Sequence, residues 1–324
     1  MTMTFAGALN LGLRRAMESN PKVLVMGEDV GRLGGVFRVT DTLQKDFGSR
    51  RVIDTPLAES GIIGTAFGMS MRGYRPVCEI QFDGFVYPAF DQIVSQVAKM
   101  NYRTKGRVSA PITIRIPFGG GIGAVEHHSE SPEAYFAHTA GLRVMTPSNP
   151  VDAFSMIQQA ILCEDPVIFF EPKRRYWDKT ELDVEAEPWI PHDQAVIAHP
   201  GTGATIVAYG PSVAPALEAA KLALTEGHSI EVIDLRSLSP IDFDTIEASV
   251  LKTGRLIVVH EASVFGGLGA EIAARISERC FYHLEAPVLR VGGYNLPYPP
   301  SKLEEEFLPD LDRVLDAVDR SLAF

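Results

Sequence analysis

Apolar positions along this chain follow two repeating patterns. Short apolar runs alternate with longer stretches in which apolar residues recur every three or four positions, as in residues 89–102. Residues 112–116 alternate isoleucine with the polar residues Thr113 and Arg115, which is the period of a strand. Strands alternating with amphipathic helices predict parallel sheets covered by helices on both faces. We therefore expect an α/β fold built from three-layer α/β/α units.

The regular alternation breaks once, near the middle of the chain. Residues 177–203 are acidic, contain several prolines and show no clear period, which is typical of a domain boundary. We predict two three-layer α/β/α domains joined by a linker: a first domain over residues 1–185, a linker over 186–203 and a second domain over 204–324.

Composition narrows the classes of function. The 324 residues carry a net charge of −11, which argues against a general binder of nucleic acid or anionic membranes. Three well-separated cysteines make neither a disulfide framework nor a metal-binding spacing, as expected in a reducing compartment. No secretion signal opens the chain, and no apolar run reaches the ~18 residues of a membrane span. We expect a cytoplasmic protein with no nucleic-acid or membrane partner.

Candidate chemistry lies where predicted strands end, because ligands of parallel sheets bind beyond the carboxyl ends of strands. Glu28, Glu59, Phe85 and His128 all occupy such places. Each has a structural alternative: Glu28 as a solvated loop acid, Glu59 as a helix-dipole partner, Phe85 as a core aromatic and His128 as a surface histidine. Both interpretations stay open on the residues alone.

The stretch 54–61 is the most informative of these positions. Pro56 fixes one backbone angle and disfavours helix at Thr55, so the chain turns there. A helical pattern begins directly after the turn, which predicts that Glu59 lies near a helix start. The turn therefore presents one carboxylate at the mouth of a cleft.

Three other motifs suggest chemistry less specifically. The glycine triplet at 119–121 lacks the residues of a dinucleotide or P-loop motif, so a phosphate site is a weak interpretation. Adjacent histidines in residues 126–128 do not have the helical spacing of a zinc site. The basic run 173–175 is expected to be solvated or to lie at a subunit interface. A serine hydrolase is unsupported, because the chain contains no Gly-x-Ser-x-Gly elbow.

Five ordered motifs resemble a known family. They are Gly-Glu-Asp-Val at 27–30, Asp-Thr-Pro-Leu-x-Glu at 54–59, Glu-Ile-Gln-Phe at 79–82, His-Ser-Glu-Ser-Pro-Glu at 128–133 and Phe-Phe-Glu-Pro-Lys at 169–173. Together they resemble the β subunit of the decarboxylase component of the 2-oxo acid dehydrogenases, over the whole chain. Residues 85–92 and 129–133 are more similar to the branched-chain (2-oxoisovalerate) enzymes than to the pyruvate enzymes.

The resemblance implies a fold, a cofactor and roles for named residues. It implies a transketolase-like, thiamine pyrimidine-binding domain followed by a transketolase C-terminal-like domain. Thiamine diphosphate would be the cofactor, with Glu59 bonded to its aminopyrimidine ring and acting as a catalytic residue. His128 would be the second catalytic residue, handling protons as the acyl group passes to a lipoyl arm. The resemblance implies cofactor contacts by Glu28, Leu57, Glu59, Gln81 and Phe85. It implies substrate contacts by Phe85, Val86, Tyr87, Pro88 and His128.

A missing motif implies partners. Thiamine enzymes usually hold magnesium and diphosphate with a Gly-Asp-Gly segment, and this chain contains none. The resemblance therefore implies that a separate α subunit holds Mg²⁺ and the diphosphate, in an α2β2 heterotetramer docked to a lipoyl acyltransferase core. It further implies a potassium ion held by the main-chain carbonyls of Ile112, Ala160, Ile161, Cys163 and Asp165.

Several functions remain as alternatives to a branched-chain 2-oxo acid decarboxylase subunit. One keeps the enzyme and changes the substrate to pyruvate. Another is a non-catalytic regulatory or assembly subunit, against which the presence of both Glu59 and His128 argues. The last is a free-standing transketolase-like enzyme, against which the missing diphosphate motif argues.

Overall fold

The structure is a computed structural model that describes residues 1–186 and 189–324. Residues 187 and 188, which belong to the predicted linker, lie outside the described residues. The strands, in chain order, are β1 (Thr2–Thr4), β2 (Val23–Gly27), β3 (Val52–Asp54), β4 (Arg75–Glu79), β5 (Thr113–Phe118), β6 (Arg143–Met145), β7 (Val167–Pro172), β8 (Lys179–Glu181), β9 (Val196–His199), β10 (Ala204–Ala208), β11 (Ile230–Asp234), β12 (Ser237–Ser239), β13 (Leu256–Ser263) and β14 (Leu289–Gly293).

The helices cover both main sheets and follow the predicted pattern closely. In chain order they are α1 (Phe5–Ser19), α2 (Leu43–Phe47), α3 (Glu59–Ser70), α4 (Met100–Arg103), α5 (Glu133–Ala137), α6 (Pro150–Leu162), α7 (Val213–Thr225), α8 (Phe243–Thr253), α9 (Leu268–Arg279), α10 (Glu304–Phe307) and α11 (Leu311–Leu322). Local chemistry sets several starts: the Thr4 hydroxyl accepts the Gly7 amide at 3.1 Å, and Asn149 caps α6.

The first sheet has seven strands in the order β12-β6-β7-β5-β4-β2-β3. Its strands β2 to β7 pair in parallel, and their side chains alternate between two cores. Val23 and Val25 pack with α1 and α6 on one face, whereas Leu24 and Met26 pack with α3 on the other. Helices on both faces explain why strands such as β2, β5 and β7 are buried along their whole length.

The second sheet has five strands in the order β14-β13-β10-β11-β9. Its side chains meet α7 and α11 on one face, and α8 and α9 on the other. The expected α/β class with two three-layer domains is therefore confirmed. No helix in the part of the chain that the structure describes is long and apolar enough to cross a membrane.

One strand crosses between the domains. The strand β12 follows β11 of the second sheet but pairs antiparallel with β6 of the first, aligning Ser237 with Met145. The division by sequence at residue 204 is therefore not a division of sheets, because residues 237–239 complete the edge of the first one.

The predicted helix at residues 89–102 is irregular. The segment Asp83–Ala89 is a 3-10 helix, Gln92–Gln96 is a π-helix, and α4 ends the run after a further 3-10 turn. Pro88 within the first turns lacks a backbone donor, which disfavours regular α-helix there. Ile93 is nonetheless fully buried, so the apolar pattern identified the buried face but not the type of helix.

Candidate active site

Three strand ends meet at one edge of the first sheet. Gly27 at the end of β2 pairs with Asp54 at the end of β3 and with Glu79 at the end of β4. Because these strands are parallel and in register, the segments that follow them leave the sheet side by side. The predicted residues from three distant motifs are thereby brought to one place.

Two carboxylates lie at this edge under an exposed leucine. Glu28 is 8% exposed and Glu59, the first residue of α3, is 7% exposed, whereas Leu57 is 81% exposed. Burial raises the pKa of Glu28, the Glu59 carboxylate raises it further, and the Ala58 backbone opposes both. Glu28 Oε1 finds no hydrogen-bond partner among the described residues. The edge thus offers a buried acceptor and an apolar surface to a ligand.

Aromatic rings cluster on the segments that follow β4 and β5. The ring centroid of His128 lies 4.2 Å from that of Phe82 and 5.0 Å from that of Phe85. Phe85 is half-buried, so part of its ring is exposed. Burial lowers the pKa of His128, and the neighbouring His127 and Lys173 lower it further. His128 is therefore neutral near pH 7 and able to accept a proton.

The remaining predicted residues lie either near the surface of the candidate site or in the core. Gln81 donates to the Glu28 carbonyl at 3.4 Å, so it borders the carboxylate pair. Tyr87 is exposed and donates to Glu130 Oε2 at 3.2 Å, next to an exposed Pro88. The structure does not bring the Val86 side chain to the site surface, because it is fully buried in the core.

The basic run 173–175 differs from its expectation at its first residue. Lys173 is 1% exposed, and its ammonium group donates to the Asp83 carboxylate and to the His128 carbonyl oxygen. Asp83 also accepts the Glu130 amide at 2.9 Å. Burial raises the pKa of Asp83 to about 6, against the opposing pull of Lys173. Lys173 was expected to be solvated or to lie at a subunit interface. It is instead buried and links Asp83 to the His128 backbone, because Asp83 provides a buried partner for its charge.

A second buried ionic group lies deeper in the same sheet. Arg115 is fully buried and donates to Glu79 at 2.6 Å and to Glu171 at 2.6 and 2.9 Å. The Tyr176 hydroxyl completes the group, 2.6 Å from Glu171. Burial lowers the pKa of Arg115, but the carboxylates outweigh it and raise the pKa overall. The motifs at 79–82 and 169–173 contain Glu79 and Glu171, but the sequence analysis did not connect them with Arg115, whose signal was an arginine among the isoleucines of one strand.

The glycine triplet does not form a phosphate cradle in the structure. Its backbone amides already bind carboxylates of the second domain: Gly120 N donates to Glu261, and Gly121 N donates to Glu304 at 2.8 Å. No cluster of three or more His, Cys, Asp or Glu side chains able to hold a metal occurs within residues 1–186 and 189–324. The adjacent histidines therefore form no zinc site of that kind.

The carbonyls predicted to hold potassium are already engaged with the protein. Arg75 donates to the Ile161 and Cys163 carbonyl oxygens at 3.0 Å each. The Ile112 carbonyl accepts the Val167 amide at 2.9 Å, and the Ala160 carbonyl accepts the Cys163 amide. Each carbonyl oxygen has a second lone pair, so these bonds leave room for an ion. Because the Arg75 guanidinium already places positive charge at two of these carbonyls, a cation there would compete with it, and the site stays a prediction.

Comparison with known proteins identifies both domains. Residues 1–178 match the family model of the transketolase pyrimidine binding domain, and residues 193–314 match that of the transketolase C-terminal domain. A solved structure described as a split gene transketolase, inactive beta4 tetramer, aligns with a TM-score of 0.82 at 25% identity. The alignment covers 99% of this chain and 98% of that one. The predicted fold is confirmed at the level of both domains.

Two curated relatives cover nearly the whole chain. A pyruvate dehydrogenase E1 component subunit beta from Leifsonia xyli is 61% identical over 98% of this chain and 94% of its own length. A 3-methyl-2-oxobutanoate dehydrogenase subunit beta from Mycobacterium tuberculosis is 53% identical over 99% of this chain and 92% of its own length. With the two domain matches, these relatives establish that the chain belongs to the β subunits of the 2-oxo acid dehydrogenase E1 components.

Proposed function

We propose that this β subunit takes part in the thiamine diphosphate-dependent decarboxylation of branched-chain 2-oxo acids and in acylation of a lipoyl group. The observation that carries the proposal is that Glu59 lies beside Glu28 at the edge where β2, β3 and β4 end, from which the segment carrying Phe85 also leaves. The Phe85 ring centroid lies 5.0 Å from that of His128. A carboxylate, an aromatic platform and a neutral histidine are the groups that such a reaction needs.

Glu59 is proposed as the catalytic carboxylate. Thiamine diphosphate, when bound, supplies the carbon that adds to the 2-oxo group and the electron sink that lets carbon dioxide leave. Glu59 would accept a hydrogen bond from the aminopyrimidine ring and hold a proton there. The partnerless Glu28 oxygen beside it, the apolar Leu57 and the half-buried Phe85 ring support a site built for a flat heteroaromatic group.

His128 is proposed to move protons when the acyl group passes to the lipoyl arm. Its lowered pKa favours the neutral ring, which accepts a proton from a thiol or hydroxyl near pH 7. Phe85, Tyr87, Pro88 and His128 would form this chain's part of the substrate wall. Val86 would support that wall from behind.

The partners are proposed from the absent diphosphate motif. An α subunit would hold the diphosphate and Mg²⁺, so the complete site would form only in an α2β2 assembly docked to a lipoyl acyltransferase core. The isolated chain is then expected to bind thiamine diphosphate weakly. Calorimetry of the chain with and without its cognate α subunit tests this expectation, and tight binding by the chain alone would contradict it.

The substrate is the finer part of the proposal. The motifs at 85–92 and 129–133 and the 53% identical relative favour a branched-chain substrate, whereas the 61% identical relative is named for pyruvate and favours that alternative. Branched substrates add methyl groups that an apolar pocket recognises by about tenfold or more in kcat/KM.

Steady-state kinetics with the cognate α subunit decide between the two substrates. The expected result is a higher kcat/KM for 3-methyl-2-oxobutanoate than for pyruvate, by about tenfold. A preference for pyruvate would assign the chain to the second candidate function. A non-catalytic assembly role predicts that replacing Glu59 leaves both activities intact.

A further inference from the structure

The loop that carries His128 is closed on itself. It spans residues 119–130, and the Gly119 amide donates to the Glu130 carbonyl at 2.9 Å, so both ends meet where the loop leaves β5. We call residues 119–123 the first limb of this loop and residues 128–130 the second limb. The position of His128 therefore depends on the contacts that hold these two limbs.

The first limb is held by the second domain. Glu304, at the start of α10, accepts the Gly121 amide at 2.8 Å and the Gly123 amide at 2.9 Å, one on each carboxylate oxygen. Tyr298 donates its hydroxyl to Glu304 at 2.6 Å. Glu304 is 7% exposed, so these three donors compensate for the loss of water around its charge.

Close packing shows that the first limb fits this contact tightly. A Cβ atom at Gly120 would lie 1.8 Å from the Tyr298 hydroxyl, and at Gly121 it would lie 2.8 Å from Arg174 Cδ. Gly121 also has a φ of +87°, which favours glycine. Gly120 therefore lets the backbone approach Tyr298 of the second domain, and Gly121 lets it pass close to Arg174 of the first.

The second limb is held by the first domain. Lys173 bonds the His128 carbonyl, and Asp83 accepts both the Lys173 ammonium and the Glu130 amide. Charged groups of both domains thus hold the backbone of the His128 loop: Lys173 and Asp83 from the first domain, and Glu304 together with Glu261, which accepts the Gly120 amide, from the second.

From this arrangement we propose that Glu304 is a positioning residue, through which the second domain fixes the His128 loop for acyl transfer. The proposal rests on the proposed function, since it assumes that His128 serves the lipoyl step. Glu304 bonds the loop backbone and Tyr298, so it acts through the loop.

The test compares Glu304→Gln with Glu305→Gln in the enzyme assembled with its cognate α subunit. The side-chain amide that the first substitution introduces would present a donor to one of the two backbone amides, so one contact is lost. Glu305 is exposed, and its variant makes the same charge change without touching the loop. Tyr298→Phe is a milder variant that preserves the charge and most of the packing.

The expected result separates two activities. Glu304→Gln should lower kcat for acylation of a free lipoyl domain by about tenfold, with less than about a twofold change in dye-coupled decarboxylation. The KM for the 2-oxo acid should be unchanged, and Tyr298→Phe should act in the same direction by a smaller factor. Equal losses in both assays, or equal effects of the two glutamine variants, would overturn the proposal.

Hydrogen exchange gives a second reading that does not depend on activity. The amides of Gly121 and Gly123 should exchange about tenfold faster in Glu304→Gln and at the wild-type rate in Glu305→Gln. Unchanged exchange would overturn the anchor itself. Wild-type enzyme that decarboxylates no 2-oxo acid would instead refute the proposed function, whereas the exchange result would still test the anchor.

Discussion

The two sheets of this molecule use their carboxyl edges in opposite ways. At the edge of the first sheet, Glu28 retains a buried oxygen without a partner among the described residues, and Leu57 lies exposed beside it. At the edge of the second sheet, polar residues are buried against the first domain. Asp234 bonds Ser148, and Tyr209 donates to Glu133 at 2.7 Å.

This difference distinguishes residues that maintain the fold from residues that are proposed to contact a ligand. Both edges are places where a parallel sheet collects polar residues. At the first edge, Glu28 Oε1 is buried without a partner among the described residues, which supports the proposed cofactor site. The second edge is bonded to the first domain by contacts within the chain, such as Arg236 with Asp152 at 2.9 Å and with two main-chain carbonyls at the same distance. Glu133 Oε2 and His260 Nε2 there are buried without a partner among the described residues. Substitutions at the first edge should therefore cost activity, and those at the second should cost stability.

Glu59→Gln should have the largest effect. Removing the carboxylate proposed to act on the cofactor should lower kcat for decarboxylation by about 10²–10⁴-fold. The thermal midpoint should stay within about 2 °C of wild type, because the change is isosteric. Glu18→Gln on the exposed side of α1 is the control, assayed with the same α subunit. Near-normal turnover would remove Glu59 from the mechanism.

His128→Ala should be the next largest and the more selective. Acylation of the lipoyl domain should fall by about 10²-fold, and dye-coupled decarboxylation by much less, because the proposed proton transfer belongs to the second step. The neighbouring His127→Ala serves as the control, since His127 is exposed. Equal loss in both assays would assign His128 a general role instead.

Arg236→Met tests the second edge through stability. It leaves Asp152 and two carbonyls without their buried cationic partner, which should lower the free energy of unfolding by about 3 kcal/mol. Chemical denaturation at fixed protein concentration measures this loss. Arg320→Met removes a solvent-exposed pair and should change the value by less than about 0.5 kcal/mol. If Arg236→Met lost activity but kept wild-type stability, the expectation that the second edge serves stability would be contradicted.

Glu133→Gln should change how stability depends on pH. Burial raises the pKa of Glu133 from 4.5 to about 8, so the folded state holds its proton. The protonated carboxyl group makes its full contribution to the free energy of unfolding below pH 4.5. This contribution is lost as pH rises through about 8. The glutamine variant is neutral throughout and should gain about 1–3 kcal/mol on wild type across that window. Parallel curves for the two proteins would contradict the prediction.

Potassium should have the smallest effect. Exchanging choline chloride for potassium chloride at equal ionic strength should raise the thermal midpoint by about 2 °C, if carbonyls around Ile161 and Cys163 bind the ion. Sodium chloride is the control for a general salt effect. Identical midpoints would indicate that the Arg75 guanidinium alone supplies positive charge to these carbonyls.

Sequence patterns predicted the elements well, because local residues set them. Residues 112–116 were expected to form a strand and, from Thr113 on, lie in β5, and Glu59 begins α3 as the turn at Pro56 implied. Periodicity and capping act within a few residues, so they can be read from the chain directly.

Pairings between distant residues were harder to predict. Lys173 was assigned to a solvated run because its partner, Asp83, is 90 residues away. Arg115 reaches carboxylates 36 and 56 residues away, and only the order of the strands brings them together. The resemblance placed Val86 on the substrate wall, whereas its side chain in the 3-10 segment is fully buried, because a motif does not show which side chain points to the core.

The strand β12, which joins the first sheet although it follows β11 of the second, has a consequence for folding during synthesis. The first sheet gains its outer strand only when residues 237–239 are available, since β12 covers the edge of β6. During synthesis, the sheet of the first domain can therefore be completed only after residues 237–239 of the second domain have been synthesised. A fragment ending at residue 203 would leave β6 with unpaired backbone groups, a surface on which nascent chains can associate.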